Sequence, residues 1–181
     1  VLIFLHEGLG CIEHWKDFPE KLCDRTGLNG LVYDRKGYGG SQPAVANWSM
    51  NYLIEEAQQD LPELLKTMEI EEAVLIGHSD GGTIALLAAA LHEKLARGII
   101  AEAAHIFVEQ ETMRGIRQFM ENYANGSLRG RLARFHGENT DMLVKRWATS
   151  WLSPDFRQWN SESYLPRISC PGLAIQGADD E

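Results

Sequence analysis

Hydrophobic positions along the chain fall into short continuous runs separated by longer stretches in which apolar residues recur every three or four positions. The first run is Val1-Leu2-Ile3-Phe4-Leu5, ending at His6 and the turn Gly8-Leu9-Gly10. A run without alternation is buried on both faces, the habit of strands inside parallel sheets. Such a strand belongs in the middle of a sheet, so the run predicts a flanking strand before Val1. Residues 15–26 read as a helix, and Leu31-Val32-Tyr33-Asp34 as a short strand closed by the loop Arg35-Lys36-Gly37-Tyr38-Gly39-Gly40. Residues 51–68 carry Tyr52, Ile54, Ala57, Leu61, Leu64, Leu65 and Met68 on one helical face, with Pro62 marking a kink or a late start. Ala73-Val74-Leu75-Ile76 is the next strand. Residues 83–96 are apolar nearly all round and predict a buried helix, and residues 98–101 and 172–175 complete the strands.

Strands alternating with helices predict right-handed crossovers and an α/β fold, a mostly parallel central sheet flanked by helices. Between residues 108 and 165 the pattern turns polar and helical, carries Trp147, Trp151 and Trp159, and offers no convincing strand. The expected organisation is a core over 1–107, a helical insertion over 108–165, and a continuation of the core over 166–181.

Composition narrows the partners. A chain of 181 residues with 44% hydrophobic and 24% charged residues has enough apolar side chains for a real core. Its formal charge of −9 leaves no broad basic surface, which argues against nucleic acid. The longest apolar run, residues 84–91, is far short of the roughly 20 residues a membrane span needs. Cys11, Cys23 and Cys170 are scattered and odd in number, with no metal-ligand spacing, so neither a disulfide framework nor a metal site is expected. The scattered cysteines suit a reducing, cytoplasmic home, and the sequence leaves the oligomeric state open.

Gly77-His78-Ser79-Asp80-Gly81 matches G-x-S-x-G and stands between a predicted strand and a predicted buried helix. That context makes Ser79 a candidate nucleophile, pushed out on a sharp turn at the carboxyl end of the sheet. The helix N-terminus behind it favours negative charge that develops there. The backbone N–H of Asp80 is one candidate oxyanion donor, and Gly8 or Leu9, in the loop after the first strand, the other. Gln176-Gly177-Ala178-Asp179-Asp180-Glu181 follows the last strand and places Asp180 as the acid that would orient a histidine, ahead of Asp179 and of Glu102.

Four segments, HEGLG, YDRKGYGGS, GHSDGG and IQGADD, stand in this order and together resemble the serine α/β-hydrolases over essentially the whole chain. The resemblance implies that residues 33–41 shape a wall of the site, and that the helical insertion is a cap over it. Glu7 stands where that family commonly has glycine, which leaves Gly8 and Leu9 both open as donors. It also implies a general-base histidine beyond the acid. All six histidines precede Asp180: His6 reads as a structural hydrogen-bonding residue, His78 as turned away from the serine, and His14, His92, His105 and His136 as surface or packing residues. The chain is therefore expected to be a piece of a larger enzyme whose histidine follows Glu181. The implied activity is cleavage of a small ester, lactone, amide or activated C–C bond. The alternative is a non-catalytic protein that holds a small ligand on the same fold. Of the insertion's tryptophans any one is a candidate for lining a pocket, and Arg129, Arg131 and Arg134 read as a solvated face or a carboxylate clamp.

Overall fold

The computed structural model of the chain describes residues 1–43 and 49–178. Five strands, β1 (Leu2–Leu5), β2 (Gly30–Val32), β3 (Ala73–His78), β4 (Ala96–Glu102) and β5 (Gly172–Ile175), form one sheet in the order β2-β1-β3-β4-β5. Every neighbouring pair is parallel, with Ile3 facing Leu31 on one side and Leu75 on the other. The first strand is central, as its unbroken apolar run requires. Both its flanks are taken by later strands: a crossover to β2 and a return to β3 bury β1 between them.

One face of the sheet carries Ile3, Leu5 and Leu75 into the main core, shared with the helix α4 (Asp80–Leu91). The opposite face turns Leu2, Phe4 and Ile76 toward Trp15 and Leu22, the latter in α1 (Phe18–Thr26). Because α4 lies between the sheet and other helices, ten of its twelve residues are buried, which explains why it lacks a polar face. It begins at Asp80 and ends at Leu91, earlier at both ends than residues 83–96. Beyond Leu91 the chain turns through His92, whose non-helical backbone (φ −131°, ψ 74°) ends the helix.

Residues 51–68 do not form one regular helix. They run as α2 (Tyr52–Glu55), a π-helical turn over Glu56–Asp60, and α3 (Leu61–Thr67). Pro62 sits in the first turn of α3, where its missing N–H is tolerated, and the wider turn before it absorbs the mismatch. Between β4 and β5 lie α5 (Gln110–Ala124), α6 (Ser127–His136) and α7 (Thr140–Leu152), with a short 3-10 turn between α6 and α7, two more after α7, and no sheet strand among the described residues. These helices pack on the loops at the carboxyl ends of β1 and β2 through Leu9, Tyr38, Leu143 and Val144. No helix among the described residues is long and apolar enough to cross a membrane.

Candidate active site

Ser79 joins β3 to α4 with φ 53° and ψ −118°, a positive-φ backbone that a side-chain-bearing residue adopts only when its surroundings impose it. The surroundings here are backbone. A methyl group on Gly77 would collide with the Gly81 carbonyl, and one on Gly81 with the Leu5 carbonyl. The two glycines thus let the strand, the turn and the helix approach closely enough to expose Ser79. The Ser79 N–H donates to the Glu102 carbonyl, 2.8 Å away, and the Thr83 N–H donates to the Ser79 carbonyl as the first turn of α4.

Asp80, next in the chain, is buried, and its carboxylate accepts a hydrogen bond from the Tyr52 hydroxyl at 2.8 Å. Tyr52 accepts in turn from the Trp151 indole N–H at 3.0 Å, so α7, α2 and α4 are joined by a short polar relay. Burial pushes the Asp80 carboxyl upward, while buried Arg35 and the Tyr52 hydroxyl work against that. Glu56 is pushed up to about 6 by burial, again opposed by Arg35.

The loop after β1 is held from three sides. The Glu7 carbonyl accepts from the Gly10 N–H at 3.1 Å, from His6 Nδ1 at 2.9 Å and from Arg35 Nη2 at 3.0 Å. His6 is itself fully buried, and its Nε2 accepts the Arg35 N–H at 3.0 Å. The Asp34 carboxylate receives the N–H groups of Ile12 and Gly40, both at 2.8 Å, which makes the loop after β2 a brace for the loop after β1. The Glu7 side chain lies 2.8 Å from His14 Nδ1 and 3.8 Å from His78 Nδ1. Burial opposes its charge, but the neighbouring imidazoles and its own N–H outweigh burial and bring its carboxyl down to about 2.

These elements surround a cavity of about 620 Å³ lined by Glu7, Gly8, Leu9, His78, Ser79, Asp80, His105, Glu109, Phe119, Trp147, Trp151 and Gln176, among others. Ser79, Asp80, Gly8 and Leu9 are therefore brought together as the sequence placed them. Asp180 and its neighbour Asp179 lie outside the described residues. Glu102 is exposed and is not among the residues lining the cavity. Trp147 and Trp151 line the cavity, whereas Trp159 is stacked on Phe156 in the core. Arg129 is committed to Asp141 through two hydrogen bonds of 2.8 and 2.6 Å, and none of Arg129, Arg131 and Arg134 lines the cavity.

The structure specifies three of the histidine readings. His78, the last residue of β3, emerges at the carboxyl edge of the sheet and lines the cavity beside Glu7, rather than turning away. His105 is a half-buried packing residue that also reaches the serine: its Nε2 lies 3.5 Å from Ser79 Oγ, its ring packs edge-on to Trp151 at 5.0 Å, and its backbone is gripped by Thr83 Oγ1, which accepts its N–H at 3.0 Å and donates to its carbonyl at 2.7 Å. His136 is buried and joins two loops of the site. His105 follows β4, which neighbours the serine's strand, and the carboxyl ends of parallel strands are where such folds place ligands. That position was the available signal. For His136 no local signal exists, because its partners lie 97 and 127 residues away.

The family model described as alpha/beta hydrolase fold matches residues 1–170. Among curated relatives, the serine hydrolase BPHL of Mus musculus is 28% identical over 158 residues, covering 83% of this chain and 53% of its own length. The Homo sapiens protein of the same name is 26% identical over 159 residues, with the same coverage. The chain thus spans about half the length of these relatives. Among solved structures, a carboxylesterase study from Nitrososphaera gargenis superposes with TM-score 0.72 at 23% identity, covering 99% of this chain and 72% of that one. NosK from Streptomyces actuosus gives 0.73 at 19% identity, covering 98% and 76%. At these identities the structural likeness speaks for the fold.

Proposed function

Starting from a chain that belongs to the alpha/beta hydrolase family, we propose that it acts as a serine hydrolase with Ser79 as nucleophile. The observation that carries this reading is the strained Ser79 backbone at a strand-to-helix junction, opening on a cavity that Gly8, Leu9 and Asp80 also line. Its mouse and human relatives bear the name serine hydrolase, which supports the same chemistry.

In this reading Ser79 Oγ attacks the substrate carbonyl carbon as its proton passes to a histidine. The tetrahedral oxyanion is held by the N–H of Asp80 and that of Gly8 or Leu9, at the positive end of α4. Collapse of the intermediate breaks the bond to the leaving group, which takes the proton from the histidine and departs. Water, deprotonated by the same histidine, then attacks the acyl-enzyme and releases the acid, returning the proton to Ser79. The resemblance assigns the orienting acid to Asp180 and the histidine to a position beyond Glu181. Helices α5 to α7 serve as a cap that excludes water, with Trp147 and Trp151 as apolar walls. The substrates this suits are small esters, lactones, amides or activated C–C compounds, and no step calls for a cofactor.

The test is a fluorophosphonate probe on the full-length protein, with the labelled peptide mapped by mass spectrometry. Labelling at Ser79 that disappears in Ser79→Ala is the expected result. A folded protein whose serine stays unlabelled would overturn the reading in favour of a non-catalytic small-ligand binder.

A further inference from the structure

His136 is the last residue of α6. It is 3% exposed. Its Nδ1 lies 3.0 Å from the Gly39 N–H and its Nε2 lies 3.0 Å from the Leu9 carbonyl. The two partners decide the tautomer. A backbone N–H can only donate and a carbonyl can only accept, so Nδ1 is bare and Nε2 carries the hydrogen. One side chain from the helices above the sheet therefore grips both the loop after β2 and the very residue that is a candidate oxyanion donor.

We propose that His136 is a positioning residue, a neutral clamp that fixes Leu9 and its loop for the oxyanion and locks α6 onto the core while it does so. The proposal rests on the serine-hydrolase reading above for its catalytic consequence. The structural part, a single neutral tautomer joining Leu9 to Gly39, stands without that reading.

A second proton on the ring would place an N–H against the Gly39 N–H, two donors face to face, and open the clamp. The groups facing the ring are His6, Glu7 and His14 around the loop after β1, and Asp34 and Tyr38 around the loop after β2. Burial, the largest influence, lowers the His136 basicity below that of an ordinary imidazole, with the Leu9 carbonyl opposing. The clamp is then complete at neutral pH and is lost as pH falls through that lowered value.

Two amides separate the two halves of the clamp. In His136→Gln the side-chain amide reaches the Nε2 position and keeps a donor for the Leu9 carbonyl. In His136→Asn the amide oxygen replaces Nδ1 and keeps the acceptor for Gly39 but abandons Leu9. Steady-state ester hydrolysis by the full-length protein should show kcat about tenfold lower in His136→Asn with KM within about twofold, and His136→Gln within about threefold of wild type, less than complete loss of an oxyanion donor causes. Equal kcat in wild type and His136→Asn, or equal losses in both variants, would overturn the proposal. Nitrogen NMR of the wild-type histidines needs no variant to fold: a protonated Nε2 and bare Nδ1 on His136 are expected, and the opposite tautomer or an averaging ring overturns the clamp. Fluorophosphonate labelling of Ser79 in the same preparation keeps the two questions apart, because its failure removes the hydrolase reading while the tautomer still judges the clamp.

Discussion

Gly77 and Gly81 bracket Ser79 where no side chain has room, and the obstruction at both is main chain rather than a movable tip. Gly81→Ala must therefore push α4 away from the end of β1. We expect a loss of about 1–3 kcal/mol, the usual cost of forcing atoms into a packed site, with Ser79 no longer labelled by fluorophosphonate. Thermal unfolding and labelling of the same sample check both halves. Glu7 poses a different problem at the same scale. Its folded carboxyl sits at about 2 against an ordinary 4.5, so the ionised form belongs to the folded state. The stability it supplies is complete above pH 4.5 and drains away as pH falls toward 2. Between those limits the unfolding midpoint of Glu7→Gln should fall less steeply with pH than that of wild type, and parallel curves would refute the assignment. Ser79 and the glycines were legible in the sequence because their evidence is local, five consecutive residues between a strand and a helix. Glu7 was visible only as an odd residue in a glycine-rich turn. What it does depends on His14 and His78, and no spacing in the sequence says that these converge.

At the level of elements, strands were the easiest to read, since an unbroken apolar run has few other destinations. Helices α2 and α3 were harder. Their common apolar face is visible in the sequence, but the π-helical turn between them is set by packing around buried Glu56 and Ala57, which periodicity does not report. The relay from Trp151 through Tyr52 to Asp80 shows why such detail matters: three helices far apart in sequence share one chain of hydrogen bonds behind the serine. Tyr52→Phe keeps the ring in the core yet strips a buried carboxylate of its hydroxyl donor. An unsatisfied group of this kind costs about 1–3 kcal/mol, and more when charged. The variant should unfold correspondingly earlier in urea at neutral pH. It should recover part of the loss as acid neutralises Asp80, whose carboxyl burial already pushes upward. If the difference between variant and wild type does not change with pH, the relay acts through packing rather than through the carboxylate.

The sheet formed by the described residues is lopsided. One edge of the sheet is β2, braced by the loops of the site, whereas β5 at the other edge has all four residues exposed. Leu173 is 54% exposed and Ile175 43%, so two large apolar side chains stand in water on an edge strand. Such an edge invites pairing with another strand, and the usual safeguards, an inward charge or a proline within the strand, are absent from Gly-Leu-Ala-Ile. Residues 1–181 expressed alone should therefore self-associate as concentration rises and bind a hydrophobic dye. Sedimentation velocity across a roughly hundredfold dilution series would follow it. Leu173→Lys places a charge on the open face without touching the core, and it should shift the chain toward monomer while leaving the cavity and Ser79 unchanged. A monodisperse wild-type chain at every concentration would mean that the edge is shielded by its own twist. A Leu173→Lys chain that still associates would move the contact away from β5 and onto another exposed group, of which Met68 at the end of α3 is the most exposed large apolar example after Leu173.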